Sequence, residues 1–175
     1  MKDKKVKSAS GRRKKSGSKK FGFLIIAAIL IIATIYYFYS AEQGKMRGYN
    51  FGNDLQIIQE ELKNEQSSFY SNVRMWEENS ITKSEILKLS ETHIKNMNGI
   101  ISKYDTLQIP DTFSGAVKLF KLSTESQLES DMHLINWIEF DDENEKIRSN
   151  ELLQQSFEYE LGGLTLYNDA KDSNP

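Results

Sequence analysis

The chain has 175 residues, a formal net charge of −2 and no cysteine. Without cysteine it has no disulfide, thiolate metal site, cysteine nucleophile or cysteine-linked lipid. The small net charge conceals an uneven distribution: residues 1–20 hold ten Lys or Arg and one acidic residue, while residues 21–175 are strongly acidic. This division indicates that the two parts of the chain face different surroundings.

Residues 1–20 are predicted to form a basic, disordered cytoplasmic tail. Each Lys or Arg near an anionic leaflet contributes roughly 1 kcal/mol of attraction, so this composition also suits recruitment of acidic lipids or of nucleic acid. A determinant of membrane topology is the simpler interpretation, because it needs no ligand. We therefore expect no nucleic-acid partner.

Residues 21–39 form an apolar run with no charged residue between Lys20 and Glu42. As a helix this run would span ~28 Å, about the thickness of the hydrocarbon core of a bilayer. A cleaved signal peptide is the alternative, but its apolar region is usually shorter and ends in small residues. Here bulky Tyr39 lies two residues before Ala41, the candidate cleavage position. The run therefore predicts an uncleaved transmembrane signal-anchor.

The flanks of this run predict its orientation. Basic residues abut its N-terminal end, and such flanks stay in the cytoplasm, while aromatic rings at the other end favour the headgroup layer. The expected membrane-interface anchors are Lys19, Lys20, Tyr36, Tyr37 and Tyr39. The predicted location is the plasma membrane, with the lipid bilayer as a partner, the N-terminus cytoplasmic and the C-terminus extracytoplasmic.

Residues 40–52 are predicted to be a stalk between the membrane and the outer domain. Gly44, Gly48 and Gly52 are four residues apart, and the polar residues Lys45, Arg47 and Asn50 lie between them. Each glycine destabilises a helix by up to ~1 kcal/mol, which favours a flexible linker. A helix that continues out of the membrane is the alternative.

The first two of four predicted helices cover residues 54–79 and 83–104. Asn53 is the expected cap of the first helix. Thr82 and Glu85 form a capping-box pattern at the start of the second, which is the clearest start signal in the chain. Apolar residues at spacings of three and four define one face on each helix. The two stripes are Leu55, Ile58, Leu62, Phe69, Val73 and Trp76, and then Ile86, Leu89, His93, Met97, Ile100 and Tyr104.

The third helix is predicted from residues 111–112 to 139, after Pro110, and the fourth from residue 143 to about residue 162. Asp142 and Glu145 form a second box-like pair. The Leu-Gly-Gly sequence at 161–163 predicts either the end of the fourth helix or a close helix contact. The stripes are Phe113, Val117, Phe120, Leu128, Ile135 and Ile138, interrupted at Thr124 and Asp131, and then Ile147, Leu153, Phe157, Leu161 and Leu164.

Similar helix lengths and short connections favour antiparallel neighbours. The predicted fold class is therefore all-α, with one N-terminal transmembrane helix followed by an extracytoplasmic up-down antiparallel four-helix bundle over residues 53–166. Residues 167–175 are predicted to be a flexible C-terminal tail.

This topology predicts that the connections near residues 79–82 and 139–142 lie at the end of the bundle away from the membrane. The candidate partner-contact residues there are Trp76, Trp137, Glu139, Asp141 and Asp142. Trp is favoured at binding hot spots, and an acidic surface suits a basic partner or a cation. The alternative is structural: tryptophans that close the core, and acidic residues that favour a helix N-terminus. An EF-hand is excluded, because Lys146 falls where that loop needs glycine.

Few residues indicate chemistry. His93 and His133 are the only histidines, and neither has the Glu three residues earlier that a di-iron bundle requires. No zinc, phosphate-loop or nucleophile-elbow motif is present in the sequence. We therefore expect no metal, no cofactor and no catalytic activity. The predicted function is a membrane-anchored binding module, an accessory or regulatory subunit of an envelope complex. The alternatives are a small-molecule sensor acting through a partner, or a self-associating structural spacer.

Overall fold

The structure is a computed structural model that describes residues 46–173. These residues form four α-helices, α1 (Met46–Glu77), α2 (Lys83–Tyr104), α3 (Ser114–Phe140) and α4 (Glu143–Asp172), with a 3₁₀ turn at Asp111–Phe113 and no strand. The all-helical prediction with four helices is therefore confirmed over the described part of the chain. The predicted basic tail, transmembrane segment, interface anchors and first part of the stalk lie outside it.

No helix within residues 46–173 combines the length and the apolar character needed to cross a bilayer.

The start of α2 confirms the clearest local prediction. The side-chain oxygen of Thr82 accepts a hydrogen bond from the backbone N–H of Glu85, and the Glu85 carboxylate accepts from the backbone N–H of Thr82 at 2.7 Å. This is a complete capping box, and it satisfies two backbone donors that helical bonds leave unpaired.

The second predicted box, at the start of α4, does not form. The Asp142 carboxylate caps the helix by accepting from the backbone N–H of Asn144 at 2.9 Å. The Glu145 carboxylate instead lies 2.7 Å from Nδ1 of His133 and accepts from the Asn136 side chain at 3.0 Å. Tertiary partners on α3 thus replace the local backbone bond.

Two helix ends differ from their predicted positions. Helix α1 begins at Met46 rather than at residue 54, so Asn53 lies inside it and caps nothing. Helix α4 continues to Asp172, through residues predicted to be a flexible tail. Both extensions are explained by packing, because Phe51 and Tyr167 each contact Phe113, with ring centroids 5.2 Å and 5.0 Å apart.

Buried apolar residues form two clusters along the helices. The larger cluster combines residues of α1, α2 and α3, and partly buried residues of α4 pack against it. The smaller cluster lies towards the α1–α2 connection. The larger comprises Phe51, Leu55, Ile58, Leu62, Met97, Ile100, Tyr104, Ala116, Val117, Phe120 and Leu128, and the smaller Phe69, Val73, Ile86, Ile135 and Ile138.

Helix α4 buries only part of its predicted apolar stripe: Leu153 is buried and Leu164 packs against the larger core cluster. Ile147 and Leu161 are exposed, whereas Ser149, Ser156 and Gly163 are buried. The small residues Ser149 and Ser156 meet serines of α3 and allow the close approach of these two helices, which form the most extensive contact in the described structure. A Cβ added to Gly163 would lie 2.9 Å from the Phe120 ring, so the Leu-Gly-Gly sequence marks a close helix contact rather than a helix end.

Candidate functional site

The α1–α2 and α3–α4 connections meet at one end of the described structure. We call this end the tip and define it as residues 76–85 and 137–146. The Lys83 ammonium group donates to the backbone carbonyl of Glu139, which joins the two connections. Both connections turn through a residue with φ of 58°, Asn79 in one and Asp141 in the other. Asn and Asp are the side chains that tolerate this left-handed conformation best after glycine.

The structure brings the two tryptophans of the chain together at the tip. The rings of Trp76 and Trp137 meet edge to face, with centroids 5.5 Å apart and an interplanar angle of 87°. The ammonium group of Lys146 lies 3.4 Å from the Trp137 ring centroid, a cation–π contact. Both tryptophans are half-buried and pack against the smaller core cluster. Their position therefore combines the structural role with a partly accessible aromatic surface.

The acidic candidate residues of the tip are all solvent-exposed. Glu139 lies in the last turn of α3, and Asp141 and Asp142 form the short connection to α4. Between them is Phe140, whose side chain is 68% exposed. The tip as a whole holds eight acidic and two basic residues. An exposed aromatic ring surrounded by negative charge is a feature that the sequence analysis did not identify, because Phe140 lies off the predicted stripe.

The structure also shows a second candidate region, a buried polar cluster between α1, α2 and α3. We call it the His93 network; its members are Glu65, Gln66, Tyr70, His93, Asn96 and Asp131. It lies between the two apolar clusters, where polar groups are costly unless they are paired.

His93 lies at the centre of this network. Its Nδ1 is 2.9 Å from Oε1 of Glu65 on α1, and its Nε2 is 2.9 Å from Oδ2 of Asp131 on α3. The imidazole ring stacks on the Phe69 ring at a centroid distance of 4.1 Å. His93 is 3% exposed and Asp131 is fully buried. The histidine thus joins three helices through one side chain.

Asp131 receives further hydrogen bonds. Gln66 donates to its Oδ2 at 2.7 Å, and the Tyr70 hydroxyl donates to its Oδ1 at 3.0 Å. Burial, together with the charge and hydrogen bond of Asp131, raises the pKa of Tyr70 well above its usual value. The tyrosine therefore stays protonated and acts as a donor, as a buried carboxylate requires.

The carboxylates also change the pKa of His93. Burial lowers this pKa, but the hydrogen bonds and charges of Asp131 and of Glu65 together outweigh burial, so the net change is upward. A carboxylate accepts hydrogen bonds only, whereas a neutral imidazole has a single N–H. Two carboxylate neighbours therefore favour the doubly protonated ring, an imidazolium.

The network reaches solvent through Glu65. Its Oε2 accepts from the Asn96 side chain at 2.9 Å, and Glu65 and Asn96 both line an open groove of about 570 Å³ between α1 and α2. The side chain of Glu65 is 19% exposed. His93 is therefore buried, but a carboxylate that touches it is accessible to water.

Parts of this network are visible in the sequence, but their connection is not. Asp131 interrupts the predicted stripe of α3, and Glu65 and Gln66 fill the gap in the stripe of α1 between Leu62 and Phe69. One pattern could have predicted the network: polar residues interrupt the apolar stripes of α1 and α3, and a histidine lies in the stripe of α2. Among the described residues no group of three or more His, Asp or Glu is arranged to hold a metal ion.

Searches of protein-family models, of curated proteins and of solved structures found no match to this chain.

Proposed function

We propose that the chain is a single-pass plasma-membrane protein whose outer domain is a binding module, an accessory or regulatory subunit of an envelope complex. The basic segment 1–20, the apolar run 21–39 and the acidic remainder support an N-terminus in the cytoplasm and a C-terminus outside. In this role the anchor confines the domain to the membrane surface and thereby raises its effective concentration near a membrane partner.

The outer domain in this proposal is an up-down antiparallel four-helix bundle. Contacts between helix ends support this order. Trp76 near the end of α1 meets Trp137 near the end of α3, while Phe51 near the start of α1 meets Phe113 just before α3. Helices α1 and α3 therefore run in the same direction. Tyr167, near the end of α4, also meets Phe113, which supports an antiparallel arrangement of α4 and α3.

The proposed binding surface is the tip. The observation that carries it is Phe140, an aromatic ring 68% exposed between acidic neighbours Glu139 and Asp141. An aromatic anchor within a charged rim is the arrangement typical of binding hot spots. The complementary partner is a basic segment with an apolar residue, since opposite charge steers its approach and Phe140 offers apolar area. Catalysis forms no part of this role.

The membrane topology is testable because the chain has no cysteine. Two single-cysteine variants, Ser80→Cys at the exposed tip and Ser10→Cys in the basic segment, are expressed in intact cells and treated with a membrane-impermeant maleimide. We expect labelling of the first variant and protection of the second until the cells are lysed. Protection of Ser80→Cys, or recovery of a soluble chain that lacks residues 1–40, would contradict the proposal.

The binding surface is tested with a charge-neutral tip. The variant Glu139→Gln, Asp141→Asn, Asp142→Asn keeps the left-handed residue and the helix cap, because Asn suits both positions. Tagged full-length chains are cross-linked in native membranes, and the captured partners are quantified at low and high salt. We expect the neutral variant to lose a partner that the wild type captures in a salt-sensitive manner.

The matched control neutralises three exposed acidic residues outside the tip, Glu91→Gln, Glu129→Gln and Glu151→Gln. This variant removes the same charge and should retain the partner. Equal capture by the wild type and the tip variant would reject the tip as the binding surface. Loss of capture by both variants would indicate a general charge effect and would also reject it.

The groove between α1 and α2 supports a second candidate function, the sensing of a small polar molecule. Glu61, Glu65 and Asn96 line it, and Glu65 contacts His93 directly. A ligand that competes for Glu65 would therefore reach the buried network. A thermal-shift screen of the detergent-solubilised chain tests this candidate.

The third candidate is a self-associating spacer. It is tested by treating the same detergent-solubilised sample with a cross-linker, because a self-associating spacer yields homo-oligomers.

A further inference from the structure

We infer that His93 is a proton-dependent latch that holds α1, α2 and α3 together while its ring carries both N–H protons. The inference concerns a regulatory device within residues 46–173 and does not depend on the proposed partner or on the membrane topology. It rests on the position of one imidazole between two carboxylates, each 2.9 Å from a different ring nitrogen.

The groups that face His93 come from every helix packed around it. Helix α1 contributes the Glu65 carboxylate and the stacked Phe69 ring, and α3 contributes the Asp131 carboxylate. Within the described residues, Glu65 and Asp131 are the charged groups that act on the ring. A protonated ring offsets one of the two negative charges around it, whereas a neutral ring offsets neither.

The two sides of the ring are not equivalent. Asp131 is fully buried, so its charge is stabilised only by protein donors, whereas Glu65 is partly exposed and can be solvated. When the ring releases one proton to solvent, the neutral tautomer that keeps Nε2–H towards Asp131 costs least. The proton therefore leaves from Nδ1, and the unprotonated Nδ1 then faces the Glu65 carboxylate. Two acceptors in contact repel each other.

Deprotonation thus removes the His93–Glu65 contact between α1 and α2 and retains the His93–Asp131 contact between α2 and α3. The Glu65 side chain lines the groove between α1 and α2, so release of this contact frees it to move into the groove. The predicted response to rising pH is a local loosening of α1 from α2 at the level of His93. The other end of α1, held by Phe51 against Phe113, has no part in it.

The direction of the pH dependence follows from linkage. The folded chain raises the pKa of His93 above its unfolded value. The latch therefore contributes fully to stability below the unfolded pKa, and its contribution is lost as pH rises through the folded pKa. A neutral buried histidine would give the opposite dependence.

The experiment measures thermal unfolding of the full-length chain in non-ionic micelles, by circular dichroism, between roughly pH 5.5 and roughly pH 8.5. The wild type is compared with His93→Gln and with His133→Gln. His133 is the matched control because it is the only other histidine and pairs with a single carboxylate, Glu145, near the molecular surface. We expect the melting temperature of the wild type and of His133→Gln to fall by roughly 2–4 °C across this range, and that of His93→Gln to stay flat.

A second measurement covers the case in which His93→Gln does not fold. In the His133→Gln chain His93 is the only imidazole, so its ring proton signals in an NMR titration are assigned without ambiguity. We expect a titration midpoint above the ordinary ~6.5, with exchange broadening of α1 and α2 amides as pH rises through it. A midpoint at or below that value, or an equal pH dependence of stability in wild type and His93→Gln, overturns the inference.

Discussion

The carboxylate of Asp131 and the imidazole of His93 form an ion pair in the centre of the domain, with Oδ2 and Nε2 separated by 2.9 Å. Water cannot take the place of either partner, since His93 is 3% exposed and Asp131 is fully buried. A buried pair of this kind adds little net stability over an apolar core of the same shape, yet it is costly to break from one side. We therefore expect its main effect to be on which faces of α2 and α3 pack together.

The first prediction concerns the asymmetry of the His93 network. Asp131→Asn leaves the imidazole without its buried counter-charge, and we expect a loss of about 3–5 kcal/mol in the free energy of unfolding. Glu65→Gln removes the partly exposed partner, and we expect a smaller loss of about 1–2 kcal/mol. Urea denaturation followed by circular dichroism measures both. Equal losses would show that burial does not distinguish the two carboxylates.

The second prediction concerns the close approach of α3 and α4. Gly163→Ala would place a Cβ 2.9 Å from ring atoms of Phe120, and both residues are buried. We expect a loss of about 1–3 kcal/mol, because the ring or the helix must shift. Gly99→Ala is the control, since nothing lies within 4 Å of its added Cβ. In that exposed helical position alanine should stabilise the chain by up to ~1 kcal/mol.

The third prediction concerns the capping box of α2. Thr82→Ala removes the acceptor for the Glu85 backbone N–H and should cost about 1 kcal/mol, whereas Thr82→Ser keeps that oxygen and should cost little. The backbone and side-chain hydrogen bonds from Thr82 lower the pKa of Glu85. Their contribution is therefore present above the ordinary pKa of a glutamate and is lost as pH falls through the lowered one.

That pH dependence gives a separate readout of the same box. Below the lowered pKa of Glu85 the protonated carboxyl no longer accepts well from Thr82, so the protection of the Thr82 amide against hydrogen exchange, relative to its intrinsic rate at the same pH, should fall in acid. Thr82→Ser should reproduce this change. A Thr82 amide whose protection is unaltered by acid would contradict the observed geometry.

The fourth prediction concerns the aromatic pair at the tip. A double-mutant cycle tests the edge-to-face contact by removing it from each side. The cycle consists of Trp76→Leu, Trp137→Leu and the double variant. We expect a coupling energy of about 0.5–1.5 kcal/mol in the free energy of unfolding. A coupling near zero would mean that the two tryptophans act independently, and that the tip is not held together by their contact.

Local patterns predicted the helices well where the relevant contacts are local. Thr82 and Glu85 are three residues apart, so their reciprocal hydrogen bonds depend on nothing beyond one turn of chain. The pattern at Asp142 and Glu145 has the same spacing, yet Glu145 turns to His133 on the neighbouring helix. The two sites differ in tertiary surroundings rather than in local sequence.

The helix ends were mispredicted for a related reason. Glycine content and polarity favoured a linker up to residue 52, but the burial of Phe51 keeps the first turns of α1 helical. The burial of Ala170 and the packing of Tyr167 do the same at the end of α4. The free energy gained by burying these side chains outweighs differences in helix propensity of less than ~1 kcal/mol.

The sequence by itself determined the all-helical class, the approximate positions of the four helices and most buried positions on α1 and α2, because these follow from periodicity and from capping within a few residues. Only the tertiary structure decided the partners of His93, which lie 28 and 38 residues away along the chain. It also decided that α4 buries serines and a glycine while exposing Ile147 and Leu161. Which face of a helix is buried depends on the shape of the neighbouring helix surface. A local pattern of apolar residues does not predict that shape.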